Sequence, residues 1–472
     1  MRKLILVFCL FSFITIGWSQ RQWKLKESFV DSASYVYFTQ GKHDALVFLT
    51  EQALSLGVDS YYLRVRMGVS YFTKNEFYLA VIHLRKALAF YPSDMYTKEY
   101  LFYAYLYMEN FEEAKLIIAK MPTTFQSAYQ KLIKRQNSFV FESAYQTTSY
   151  ANKQDTAVFL AKDDSDTSLH GNGIYAESDR MKSLQYVQVG MGYPISKRIK
   201  GYSGVSMVQN NRESHIYSKS TVWNFDTNKQ VWYTSSNIKD TSHEYSLTQY
   251  QLYSGLTITL PKQVNFLVGG QYMYYEQNKL YANYDTITWK YRYHDSTTAR
   301  NNFVSNFSLT KSFQKLIPMV SVGINRIDGV TIMQYSSQVT YLPFGNFNTS
   351  ITGGFSISKD NYASRKVFFG KLAGKITGNW WYDAYFYAGN LKNLTEGNGY
   401  VVYNISDKIT MKTGVNATYY FNPKMSLGFR YDLLKRESSY DRYYSTFNAT
   451  KVKVYSDKYV NNSFILSLLW KF

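Results

Sequence analysis

The final strand constrains this chain more than any other feature. Phe464, Leu466, Leu468, Trp470 and the terminal Phe472 alternate with Ile465, Ser467, Leu469 and Lys471. A period of two marks a strand, and one face of this strand is wholly apolar and ends on an aromatic carboxyl-terminal residue. At the edge of a soluble sheet it would template aggregation. In a transmembrane β-barrel the same strand closes the sheet, and its apolar face meets lipid. The alternative is a core strand that happens to end a soluble domain.

The same period recurs from residue 138 onward. Phe347, Thr349, Ile351, Gly353, Phe355 and Ile357 oppose Asn348, Ser350, Thr352, Gly354, Ser356 and Ser358. Ile409, Met411, Thr413, Val415, Ala417 and Tyr419 oppose Thr410, Lys412, Gly414, Asn416 and Thr418. Met425, Leu427, Phe429, Tyr431 and Leu433 oppose Ser426, Gly428, Arg430 and Asp432. Val264, Phe266, Val268, Gly270, Tyr272 and Tyr274 oppose a face with Asn265, Gly269 and Gln271. Sandwich strands usually run to about five or six residues, so alternations of about ten favour a barrel. Short turns are expected at 194–197, 260–263, 312–315, 342–346, 377–379 and 421–424. Long polar stretches near 149–183, 211–244, 278–300, 391–407 and 437–458 lie between them and read as outer loops. Both ends of the barrel then fall on one side, the strand count is even, and it comes to about 14.

Aromatic residues make up 18% of the chain, with 47 tyrosines, a load that suits girdles at two membrane interfaces. The net charge is +19, but the basic residues are scattered without a basic helix or arginine cluster, which argues against nucleic acid. Anionic headgroups or an anionic solute remain as partners. Met1-Arg2-Lys3, the apolar run Leu4 to Ile16 and Gly17-Trp18-Ser19 read as a signal peptide over residues 1–19. The single cysteine, Cys9, lies inside it, so the mature chain has no disulfide or thiolate site. Beyond it no apolar run is long enough for a membrane helix. Export without helical spans points to the outer membrane of a Gram-negative bacterium.

Residues 20–135 carry a different period. Tyr37, Tyr71 and Tyr105 are spaced by 34 and open similar phrases. That is the period of a helix-turn-helix repeat. In the middle unit Gly68 permits close helix approach, Tyr71 packs between helices, Ala80 and Ala87 are small at the crossing, and Pro92 ends the second helix. The third unit keeps Leu101, Tyr105 and Ala114 but has Phe102 where a small residue is expected. The first has Ala45 one residue early. Tyr61, Tyr62, Tyr100 and Tyr103 either pack helices or line a surface for a protein partner.

These residues resemble the tetratricopeptide repeat. The whole layout resembles the YaiO-type family of Bacteroidetes-like bacteria and is similar to the exopolysaccharide export porins. The terminal strand resembles the signal read by the outer-membrane assembly machinery. The expected fold is therefore an α + β multidomain chain: a signal peptide (1–19), periplasmic tetratricopeptide-like helical repeats (20–135), and a transmembrane antiparallel β-barrel of about 14 strands (136–472). The resemblance implies a periplasmic protein partner on the repeats and a polysaccharide as cargo.

Register places Lys371, Lys375, Asp383, Lys412, Arg430, Asp432 and Lys471 on the lumen face. A charge at the bilayer midplane costs a few kcal/mol, so inward is favoured. Such a wall either attracts anions or pairs internally in a plugged barrel. His170, His215, His243 and His294, with the run Asp163-Asp164-Ser165-Asp166, are the candidates for a rim hydrolase or a calcium site. Yet no recurring spacing, serine elbow, zinc motif or phosphate loop accompanies them. Trp223, Trp232 and Tyr233 are candidates for stacking on sugars. The expectation is a non-enzymatic barrel without cofactor or metal that assists export or assembly of a surface polymer. The alternatives are an adhesive barrel without a pore, and a rim-active hydrolase.

Overall fold

The computed structural model describes residues 27–108, 110–129, 136–150, 173–196, 198–260, 264–285, 290–313, 315–344, 347–404, 407–445 and 450–472. The expected signal peptide, His170 and the aspartate run 163–166 lie outside them. The chain divides into two compact units, Met1–Ile133 and Lys134–Phe472. No helix among the described residues is long and apolar enough to cross a membrane.

The first unit holds α1 (Glu27–Thr39), α2 (His43–Ser55), α3 (Tyr61–Thr73), α4 (Phe77–Phe90), α5 (Met95–Tyr107), α6 (Phe111–Ile118) and α7 (Thr123–Tyr129). The repeat is visible in the backbone. Lys42 N donates to Tyr37 O (2.9 Å), Glu76 N to Tyr71 O (2.8 Å) and Asn110 N to Tyr105 O (2.8 Å). Each bond closes the last turn of a first helix, the way a left-handed residue ends a helix. Gly41 (φ 67°) and Asn75 (φ 59°) are those left-handed residues, again 34 apart.

Packing follows the small residues. Ala80, Ala87 and Ala114 are fully buried, as are Tyr71 and Tyr105, and α4 stops at Phe90, two residues before Pro92. The Tyr71 hydroxyl donates to Glu51 (2.9 Å). In the first unit Leu46, not Ala45, fills the small position, and it is fully buried. Phe102 is also fully buried, because the short α7 brings Tyr129 against it (ring centroids 5.2 Å). His83 is buried beside Arg64, whose Nη1 lies 3.0 Å from its Nδ1; burial and that guanidinium push its pKa down to about 4, so it packs as a neutral ring. A Cβ on Gly68 would lie 2.7 Å from Leu84 Cγ. Gly68→Val is therefore expected to lose about 2 kcal/mol from this unit by overpacking. The check is a lower urea midpoint of the helical circular-dichroism signal of the full chain in detergent.

The second unit is a closed antiparallel barrel. Its wall strands are β1 (Ser138–Tyr150), β2 (Gly173–Ser196), β3 (Ile199–Asp226), β4 (Val231–Leu260), β5 (Val264–Asp285), β6 (Lys290–Lys311), β7 (Leu316–Ile327), β8 (Val330–Tyr341), β9 (Thr349–Lys359), β10 (Ser364–Thr377) and β11 (Trp380–Gly389). After the short β12 (Thr395–Glu396) and β13 (Val401–Val402), β14 (Lys408–Asn422), β15 (Met425–Ser445) and β16 (Thr450–Lys471) complete the wall. The ring has 14 strands, and β12 and β13 form a separate small hairpin. β16 pairs with β1 from Ser138↔Lys471 to Tyr150↔Tyr459, and Asn137 and Phe472 exchange backbone hydrogen bonds of 3.0 and 2.9 Å. The apolar terminal strand is therefore no edge.

The wall is inverted relative to a soluble protein. On β7, Val320, Val322 and Ile324 are exposed while Ser321 and Asn325 on the alternate face are buried. On β6, Phe303, Phe307 and Leu309 face out while Asn302, Asn306 and Ser308 face in. On β16, Phe464, Leu466 and Trp470 are exposed, as is Phe472 just after it, and Asn461 and Ser463 are buried. Water does not favour such a surface; lipid does, and the closed ring pairs each wall strand on both sides.

Three sequence expectations are corrected. The stretches 173–183, 211–244, 278–285, 290–300 and 437–445 are not loops but continuations of β2–β6 and β15, which rise as hairpins above the shorter β7–β11. Both of their faces carry polar residues, Ser178, Ser214 and Ser218 being buried beside Ile174 and Ile216, so no clean alternation betrays them. Ile409 does not face out: a register shift between Ile409 and Met411 turns it inward, where it is 1% exposed. The stretch 391–407 is not an outer loop either, because its described residues pack inside the barrel.

Candidate functional site in the barrel lumen

The lumen site is built by the connection between β11 and β14. The two strands are neighbours in the wall, with Ala388↔Met411 in register, so a short link would join them. Instead the chain turns inward at Gly389, whose φ of 132° and contact with the Lys366 carbonyl leave no place for a side chain. Leu391 and Leu394 are fully buried in an apolar cluster with Val367, Ile409 and Leu434, which roots the segment. Thr395 is then held by Gln334 of β8 through three hydrogen bonds of 2.8–3.0 Å.

A turn at Gly397–Gly399 carries the tip across the lumen. The tip fits because the opposite wall lacks side chains there: a Cβ on Gly269 of β5 would lie 2.3 Å from Asn398 O. Tyr400 inserts beside Tyr253 and Tyr202, at ring-centroid distances of 5.2 and 5.9 Å, and lies 3.3 Å hydroxyl to hydroxyl from Tyr202. On the return path Asn404 donates to Gln249 of β4 (2.7 Å), and Asp407 accepts from Tyr459 of β16. These contacts fall at three places around the ring: the adjacent strands β3, β4 and β5, then β8, and then β16. The segment is a plug that crosses the barrel.

Between plug and wall lies a chamber of about 670 Å³. Lys371, Asp383, Lys412, Arg430 and Asp432 line it, together with Tyr186, Tyr245, Tyr385, Tyr387, Tyr400 and Tyr403. Lys412 is the central cation. It donates to Glu396 (3.0 Å) and Tyr403 (2.6 Å) of the plug and lies within 5.4 Å of three tyrosine ring centres. Lys371 pairs with Asp383 (3.3 Å), and Asn416 also donates to Asp383 (2.9 Å). Arg430 reaches Glu142 of β1 (2.7 Å) and stands 3.8 Å from Asp432, which accepts from Tyr385. Lys375 shares the face of Lys371, nearer the β10–β11 turn, and is exposed outside the chamber. Lys471 lies in the register that closes the ring.

Sequence reasoning did not identify Arg212, Lys279, Glu142, Asp179 and Glu396, which also line the chamber. Arg212 is 2.8 Å from Asp179 and 3.7 Å from Asp407, and Lys279 pairs with Glu177. Arg212, Lys279 and Asp179 lie in the upper strands and Glu396 in the plug, where no apolar alternation gave a register, and Glu142 lies on β1 opposite Ser467. The wall is thus ion-paired rather than a one-sign field.

The other candidates sit apart. His215 on β3 is 3.8 Å from both Glu213 and Asp240, and His243 on β4 is 4.0 Å from Asp295. His294 belongs to β6. No group of three or more possible metal ligands occurs among the described residues. Trp223 and Tyr233 pair with Thr234 and Asn224 near the tip of the β3–β4 hairpin, and the exposed Trp232 packs on Phe225 (5.1 Å). In the helical unit Tyr61, Tyr100 and Tyr103 pack against the core, whereas Tyr62 is exposed beneath the Arg66 guanidinium (5.5 Å).

No family model matches the chain, and no curated protein aligns with it. Among solved structures it is similar to a deltaS2 mutant of the TodX monoaromatic hydrocarbon channel, with 7% identity over 71% of this chain and 90% of that one (TM-score 0.43). It is similar to a Pseudomonas aeruginosa FadL homologue, with 9% identity over 72% of this chain and 91% of that one (TM-score 0.41). Its helices are similar to the first TPR domain of human RPAP3, with 17% identity over 23% of this chain and 91% of that one (TM-score 0.21). At these scores the likeness carries no argument about cargo or partner, and the architecture rests on the geometry above.

Proposed function

We propose that this chain is an outer-membrane barrel that helps a surface polymer, a polysaccharide, across the membrane. In this reading residues 1–19 direct export, and Phe464, Leu466, Leu468, Trp470 and Phe472 are recognised by the assembly machinery. The helical repeats stand in the periplasm and bind a protein partner there. The barrel binds and conducts, with no covalent chemistry, cofactor or metal.

The observation that carries the proposal is the lumen: a tyrosine-rich, amide- and ion-pair-lined chamber beneath a plug held largely by polar contacts. Tyrosine rings and paired planar donors and acceptors suit a hydroxyl-rich chain, and polar contacts exchange readily with water when a segment moves. The test is deletion of the gene, with complementation by the intact chain and by a chain lacking residues 27–129. The expected result is loss of surface polysaccharide, restored only by the intact chain. Unchanged surface polysaccharide in the deletion strain would end the proposal.

A second reading, a closed barrel that displays its tall hairpins, is favoured by the internal pairing of the chamber charges. In that case the deletion strain keeps its polysaccharide and loses a surface contact.

A further inference from the structure

One buried cation of the chamber stands apart from the ion pairs described above. Arg436 on β15 is 3% exposed and lines the chamber. Its Nε and Nη1 are buried and meet no hydrogen-bond acceptor among the described residues, and no ion pair to it is found there. Its neighbours in register are Ile409 and Tyr459. The Tyr459 hydroxyl is already committed to Asp407, which also has Arg212 at 3.7 Å. Two further chamber atoms, Gln146 Nε2 and Asn210 Oδ1, are buried without a hydrogen-bond partner among the described residues.

A guanidinium stays protonated at any physiological pH, so burial cannot neutralise it. A buried charge without a counter-ion opposes folding. Its planar fork matches a carboxylate or phosphate through two parallel hydrogen bonds. We infer that the lumen chamber is a binding site for a small oxyanion, a carboxylate or a phosphate, with Arg436 as the group that meets its charge. Gln146 and Asn210 supply a donor and an acceptor for the remainder of the ligand. The site does not depend on whether a polymer passes the barrel.

The test is thermal unfolding of the full mature chain in neutral detergent, with inorganic phosphate or glucuronate added and chloride at matched ionic strength as control. The expected result is a midpoint that rises with phosphate, glucuronate or both and saturates with concentration, as binding to the folded state alone requires. A response to glucuronate alone identifies a sugar carboxylate as the ligand, and a response to phosphate alone a phosphate. Arg436→Met loses the anion-dependent rise while its anion-free midpoint is no lower than that of the parent chain, because an uncompensated buried charge has gone. Arg436→Lys, which keeps the charge but not the fork, retains a reduced rise and guards against misfolding of the first variant. No rise with either anion in the parent chain, or an equal rise in Arg436→Met, overturns the inference.

Discussion

Replacing residues 391–406 by a short glycine-serine linker is expected to turn a barrel that is silent in a planar lipid bilayer into one that carries current in discrete steps. The wall does not need the segment. β11 and β14 pair directly from Trp380↔Tyr419 to Ala388↔Met411, so a short link closes the same ring. What the segment occupies is the lumen, through contacts with Gln334, Gly269, Tyr253, Tyr202 and Gln249 on four different strands. Lys412 then faces a water-filled channel, where an unpaired ammonium is hydrated at little cost. Heat-modifiable migration in gels would verify that the barrel still forms. A folded linker variant that stays silent, or an intact chain that already conducts equally, contradicts the plug assignment.

Lys412→Met has the second largest expected effect. The substitution leaves Glu396 with its carboxylate in a dry site, and breaking a buried pair from one side costs about 3–5 kcal/mol. The barrel strands cannot relieve that cost, but the plug that carries Glu396 can, by leaving the chamber. A bias of about 3 kcal/mol raises the opened fraction by more than about a hundredfold. The mature chain is expected to contain no cysteine, so Val401→Cys gives a unique reporter whose labelling by a water-soluble thiol reagent follows opening. Labelling accelerates in Lys412→Met and returns toward the parent rate when Glu396→Gln is added, since the stranded charge is then gone. If both double and single variants label at the parent rate, the pair does not hold the plug.

Much of the architecture was legible in the chain. The 34-residue spacing of Tyr37, Tyr71 and Tyr105 recurs as three equivalent backbone hydrogen bonds. The alternations around Phe355, Phe429 and Phe464 gave register, because a strand between lipid and water must change polarity at every residue. The same rule turned Lys371, Asp383, Lys412, Arg430 and Asp432 toward the chamber. It was silent wherever both faces are wet. Residues 211–244 read as a loop yet pair in register from Arg212↔Tyr245 to Asp226↔Val231, since a hairpin with polar residues on both faces has no clean apolar face to reveal it. Ile409 followed the alternation in sequence but left it in space, because a register shift skips one residue.

The sequence by itself determined the division into helical repeats and barrel, and the face taken by residues in the apolar alternations, because these depend on local period and on the solvent each face meets. Only the tertiary structure decided what fills the barrel. Nothing within residues 391–404 marks them as internal; Gly269, Gln334, Tyr202 and Lys412 make them so, and those partners lie between 9 and 198 residues away, brought to one place only when the ring closes.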